Sequence, residues 1–89
     1  MIPYNYTIPQ YRAISICARI AALKLQWEAS DETSKIIDAK WTRLELNALK
    51  EQLEEIELTP DFKKVCKYES CMEYLNSQIE IISLKYIRK

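Results

Sequence analysis

Apolar residues recur along this chain at helical spacing from one end to the other. Val65, Tyr68, Met72, Leu75, Ile79, Ile82 and Tyr86 follow a 3-4-3-4-3-4 pattern, the seam that a long helix presents to a packed neighbour. Tyr74, Ile81 and Leu84 form a second strip off that seam. Nearer the start, Tyr11, Ile14, Ala18, Ala21 and Leu25 make one seam, and Ile16, Ile20, Leu23 and Trp27 make another. At about 100° per residue the two lie roughly 160° apart. The middle of the chain changes face. Ile37, Trp41, Leu44 and Ala48 form a first strip, and Leu46, Leu49, Leu53 and Ile56 a second, rotated from it by about 130°.

Polar punctuation divides this periodicity into three predicted helices, over about residues 9–29, 31–58 and 60–88. Thr7 and Gln10 have the spacing of a capping box, with Thr7 as N-cap. Ser30 reads as the N-cap of the second helix, with Asp31 and Glu32 in its first turn. Neither Gly nor Pro closes the first helix, so a single kinked helix across this point is the other reading. Thr59-Pro60-Asp61 supplies an N-cap, an N1 proline and an acid, the clearest boundary in the chain. Pro3 and Pro9 disfavour helix just before them, so residues 1–8 are predicted as an extended N-terminal arm ahead of one domain at 9–89.

The expected fold is therefore all-α, a three-helix antiparallel bundle with an extended N-terminal arm. Three helices within one protomer cannot all be buried on two sides. A second copy is expected to cover the surplus faces, giving a dimeric helical bundle. A compact monomer with a few exposed Ile and Leu side chains is the competing picture.

Composition reinforces this. The 89 residues contain no glycine, which removes the usual means of making tight hairpins, phosphate-cradling loops and dinucleotide fingerprints. Histidine is also absent, and with it the usual general base near neutral pH and the commonest metal ligand. Apolar residues make up 48% of the chain, enough for a core in one small domain. No apolar run approaches the roughly 18 residues of a membrane span, and the first residues lack the pattern of a secretory signal. Three cysteines, Cys17, Cys66 and Cys71, are too few for a secreted disulfide scaffold and are read as reduced. A cytoplasmic setting is expected.

Net charge is zero, but the charges are sorted. Residues 1–27 carry three bases and no acid, residues 28–61 ten acids against four bases, and residues 62–89 six bases against three acids. Glu51, Glu54, Glu55 and Glu57 crowd the end of the second helix, and Lys63 and Lys64 the start of the third, with Lys67 a turn further on; the acids and the first two lysines each oppose their helix dipole. The simplest account is mutual neutralisation across the Thr59-Pro60 corner. The other is that a partner's charges complete one of the patches. Cys66, beside those lysines, is the one candidate reactive thiol, against the commoner role of a buried sulfur as a small hydrophobe. Cys66 and Cys71 are five apart, about 140° around a helix, so no zinc site is expected between them.

Function follows by exclusion. The chain is expected to be no enzyme and to need no cofactor or metal. It reads as a protein-interaction module, such as an inhibitor, adaptor, immunity or assembly factor, that binds another protein or itself and no membrane. The apolar anchors would be Trp27, Trp41, Tyr68 and Tyr86, and the charged rim Glu51, Glu54, Glu55, Lys63, Lys64 and Lys67. The alternative is a small nucleic-acid-binding regulator whose dimer presents Arg12, Arg19, Lys85, Arg88 and Lys89 to phosphates.

Overall fold

The computed structural model describes residues 7–87. The expected arm therefore lies outside the described residues except for Thr7 and Ile8, as do Arg88 and Lys89. Among the described residues there is no strand. Four helices follow one another: α1 (Ile8–Ala29), α2 (Glu32–Glu55), α3 (Pro60–Val65) and α4 (Tyr68–Ile82), the last widening into a π-helical turn over Ser83–Ile87. The chain is all-α. Among the described residues no helix is long and apolar enough to cross a membrane.

The capping box at the start of α1 is present in both directions. Gln10 N–H donates to the Thr7 hydroxyl at 3.3 Å, and Thr7 N–H donates to Gln10 Oε1 at 3.0 Å. At the next boundary Asp31, not Ser30, caps α2. Its carboxylate accepts from Ser34 N–H at 2.8 Å, a bond that holds the Asp31 carboxyl below its ordinary value. Ser30 instead closes α1, donating its N–H to the Trp27 carbonyl at 3.1 Å and its hydroxyl to the Gln26 carbonyl at 2.9 Å. A carboxylate is the better partner for the positive end of a helix, so the cap falls one residue later than predicted. Helices α1 and α2 are thus separate, with Ser30 and Asp31 between them. The second helix also stops earlier than predicted, at Glu55 with Ile56 as C-cap.

The third predicted helix is two helices. The chain breaks at Cys66 and Lys67, where Lys67 takes φ 57° and ψ 43°, the only positive φ among the described residues. Continuous helix from Pro60 would carry Phe62 about 120° away from the buried face of α4. The bend turns Phe62 inward, to 6% exposure, and leaves Val65 outside at 69%. Burying the aromatic ring in place of a valine favours the break. A lysine in the left-handed region costs about 1–2 kcal/mol, which this glycine-free chain bears at one point.

The long helices α1, α2 and α4 each pack on the other two. Leu46 and Leu53 of α2 with Leu75 and Ile82 of α4 form the fully buried centre, joined by Ile16, Ile20 and Leu23 of α1 and by Phe62. Cross-links show the chain direction. Arg19 of α1 pairs with Glu45 of α2 at 2.7 Å, far from the link between them, so these helices run antiparallel. The Tyr68 hydroxyl donates to the Leu53 carbonyl at 3.5 Å and Arg43 to the Ser83 hydroxyl at 3.2 Å, so α4 runs antiparallel to α2.

Candidate interaction surface

Packing uses one strip of each two-faced helix and leaves the other outside. In α2 the strip of Leu46, Leu49, Leu53 and Ile56 is buried. Its counterpart is not: Ile37 is 71% exposed, Trp41 70% and Leu44 60%, and Ala48 is exposed beside them. In α1 the seam of Ile16, Ile20, Leu23 and Trp27 faces the core, whereas Ala18, Ala21 and Leu25 of the other seam are exposed. Trp41 stands at the rim of a groove of about 210 Å³ between the two helices, lined also by Gln26, Trp27, Asp38 and Glu45. The Arg19–Glu45 ion pair bridges the same two helices. Exposed apolar surface therefore collects along the outside of the α1–α2 hairpin.

Of the four predicted anchors, only Trp41 belongs to this surface. Trp27 is half-buried, meets Tyr86 edge to face at a centroid distance of 5.6 Å, and has the Lys35 ammonium 5.6 Å from its ring. Tyr86 is half-buried on the core and donates its hydroxyl to Glu32 at 3.0 Å. Tyr68 packs on the core with the Lys63 ammonium 4.8 Å from its ring. Burial first, and then the charge of Glu54, raise the Tyr68 pKa above its ordinary value. These three aromatics are structural ties between helices.

The predicted rim divides. Glu51, Glu54 and Glu55 are exposed near the end of α2. Lys63, Lys64 and Lys67 surround a hollow of about 380 Å³ with Pro60, Glu69 and Ser70. Among the described residues the ion pairs are Arg19–Glu45 and Lys85–Glu32, so the acids and lysines on either side of the Thr59-Pro60 corner do not neutralise one another by direct contact. Of the residues read as nucleic-acid contacts, Arg19 is held by Glu45. Lys85 is held by Glu32 at 3.6 Å, and the Tyr86 hydroxyl and then Glu32 keep its ammonium pKa above the ordinary lysine value. Arg12 is exposed on α1, and Arg88 and Lys89 lie outside the described residues.

The thiols lie closer together than one straight helix would put them. Cys71 Sγ lies 3.5 Å from Cys17 Sγ, and the Cys17 thiol donates to the Cys66 carbonyl at 3.5 Å. The bend at Lys67 makes this possible, because it removes the angular separation that one straight helix would impose on Cys66 and Cys71. The Cys66 pKa is raised by burial and by neighbouring Cys71, not lowered by the lysines. Burial pushes the Cys17 thiol up to about 12, with Cys71 and Cys66 adding to the shift. Among the described residues no cluster of three His, Cys, Asp or Glu side chains is placed to hold a metal ion.

Sequence reasoning missed several contributors. Ala13, Ala39 and Phe62 are core residues, and Ile36 is a further exposed isoleucine of α2, at 64%. The seven-residue spacing of Ala39, Leu46 and Leu53 carried the signal for Ala39. In comparisons with known proteins the chain matches no family model, no curated protein and no solved structure.

Proposed function

We propose that this chain is a non-catalytic interaction protein that works by covering the outer face of its α1–α2 hairpin with another protein surface, and that this partner completes the helical bundle as a second layer. The observation that carries the reading is the division of α2: a fully packed core strip on one side and Ile37, Trp41 and Leu44 uncovered on the other. Contiguous exposed apolar surface marks interaction sites, and tryptophan is among the residues enriched as binding anchors. The raised Cys17 and Cys66 pKa values disfavour nucleophilic thiol chemistry at neutral pH, which weakens the case for Cys66 as a reactive residue. The cytoplasm, where the three thiols stay reduced, is the compartment proposed with this function.

A nucleic-acid reading has less support, because Arg19 and Lys85 already hold acidic partners. Photo-crosslinking in cells tests the preferred one. A photoreactive residue at position 41 is expected to give a discrete protein adduct, while one at exposed Asn76 on α4 gives none. Absence of any adduct at position 41 would overturn the reading.

A further inference from the structure

The outer face of the hairpin is composed of two parallel rows. Ala18, Ala22, Leu25 and Ala29 of α1 are exposed, and at about 100° per residue they lie within one narrow arc opposite the core. Ile37, Trp41, Leu44 and Ala48 of α2 form the corresponding arc of the neighbouring helix. Both rows have 4-3-4 spacing. One is a furrow of small side chains with a single leucine; the other is a ridge of large ones. No residue in either row is charged.

Resting on the interaction reading above, we infer that the occupant of this face is the same face of a second copy, with the α2 ridge of each protomer seated in the α1 furrow of the other. A two-fold axis along the α1–α2 groove achieves this. It lays α1 of the second copy over α2 of the first, antiparallel to it, and so converts two hairpins into a four-helix layer.

Three observations favour a second copy over another occupant. Size matches, since the register set by the Arg19–Glu45 pair brings Trp41 over Ala22 and Leu44 over Ala18, with Ile37 level with Leu25, and no residue of one ridge falls over the other ridge. Area matches: Leu25, Ile37, Trp41 and Leu44 at their observed exposure present on the order of 600 Å², and the alanines raise this toward the ~800 Å² that each side of a stable interface covers. Charge matches as well. The Arg19–Glu45 pair, 2.7 Å apart, bridges the groove along which the axis runs. The rotation sets Glu45 of the second copy over Arg19, and Arg19 of the second copy over Glu45. Four charges then alternate in sign around the axis, whereas an occupant without that pattern would cover the ion pair uncompensated.

The test is sedimentation of the full chain and of folded variants across a concentration series, with circular dichroism melts at low concentration confirming that each variant folds. A dimer at high micromolar concentration is expected. Trp41→Asp and Ala22→Glu, on opposite rows, are each expected to abolish it. Arg19→Glu and Glu45→Arg place four like charges at the axis and are expected to weaken association about a hundredfold, while the double swap Arg19→Glu/Glu45→Arg restores it. A dimer lost in Trp41→Asp but untouched by Ala22→Glu would overturn ridge-in-furrow docking in favour of α2-on-α2 pairing. A strict monomer overturns self-association. In that case a position-41 adduct to a different protein leaves the interaction reading standing, and no adduct removes both.

Discussion

Trp27 and Tyr86 meet edge to face, with ring centroids 5.6 Å apart and planes 89° to one another. This contact ties the end of α1 to the π-helical turn that follows α4, and the Tyr86 hydroxyl extends the tie to Glu32 at the start of α2. One side chain therefore joins three helices at the end of the bundle farthest from α3. Replacing Tyr86 with Ala is expected to lower the unfolding free energy by about 2 kcal/mol, since the ring is half-buried. Tyr86→Phe keeps the ring contact and is expected to cost less than about 1 kcal/mol. Urea denaturation of the two variants checks this. Equal losses would show that the hydroxyl, not the ring, makes the tie.

The two faces of α2 are expected to respond oppositely to truncation. Leu53→Ala opens a cavity in the packed centre and is expected to cost about 3 kcal/mol. Trp41→Ala, measured on the dilute monomer, is expected to fall within about 0.5 kcal/mol of the parent. At high protein concentration the parent midpoint is expected to rise and that of Trp41→Ala to stay fixed, because only a chain that associates gains stability by mass action.

Lys67 is the one position where glycine is expected to improve the protein. At φ 57° a Cβ is unfavourable, so Lys67→Gly is expected to raise stability by about 1 kcal/mol, reduced somewhat by the greater freedom of the unfolded chain. Lys67→Val is expected to destabilise, since a branched side chain tolerates this region least. Thermal melts of both variants at neutral pH give the comparison.

Stability is expected to fall in alkaline solution because of the thiols. The Cys17 pKa rises on folding from 9.0 to about 12, and that of Cys66 rises too. A raised pKa stabilises the fold fully below the unfolded value, and the benefit is lost as pH climbs through the folded one. The decline attributable to Cys17 should thus lie between about pH 9 and pH 12, and Cys17→Ser should flatten it in denaturation midpoints recorded over that range. In the same way, alkylation of Cys17 and Cys66 at pH 8 is expected to be slower than that of an unhindered thiol.

Much of this structure can be read from residue order, and the exceptions have identifiable causes. The all-α class, the Thr7–Gln10 cap, the Thr59-Pro60 boundary and the two strips of α2 all depend on contacts within a few residues, which spacing reports well. Which strip of α2 would be buried was not legible, because both have the same period and choosing between them needs the neighbouring helices. The bend at Lys67 was illegible for a related reason. Nothing local to Lys67 favours a left-handed residue, and the preference arises from Phe62 finding a place in the core. The thiol cluster followed from that bend and was missed with it. Trp27, Tyr68 and Tyr86 could not be sorted from Trp41, since an aromatic that ties helices and one that faces outward occupy seams of the same spacing.

The short link at Ser30 and Asp31 bears on how the molecule forms as well as on its shape. Helices joined by so few residues meet early, since closing a small loop costs little chain entropy. Helix α4 comes last along the chain, and its contacts reach far back along the sequence, as from Tyr86 to Glu32. Until it docks, the nascent hairpin carries bare apolar rows on both sides, and only one of them will be claimed by its own chain. Order of arrival then decides between a correct fold and a mispaired one: α4 must reach the inner row before another molecule does.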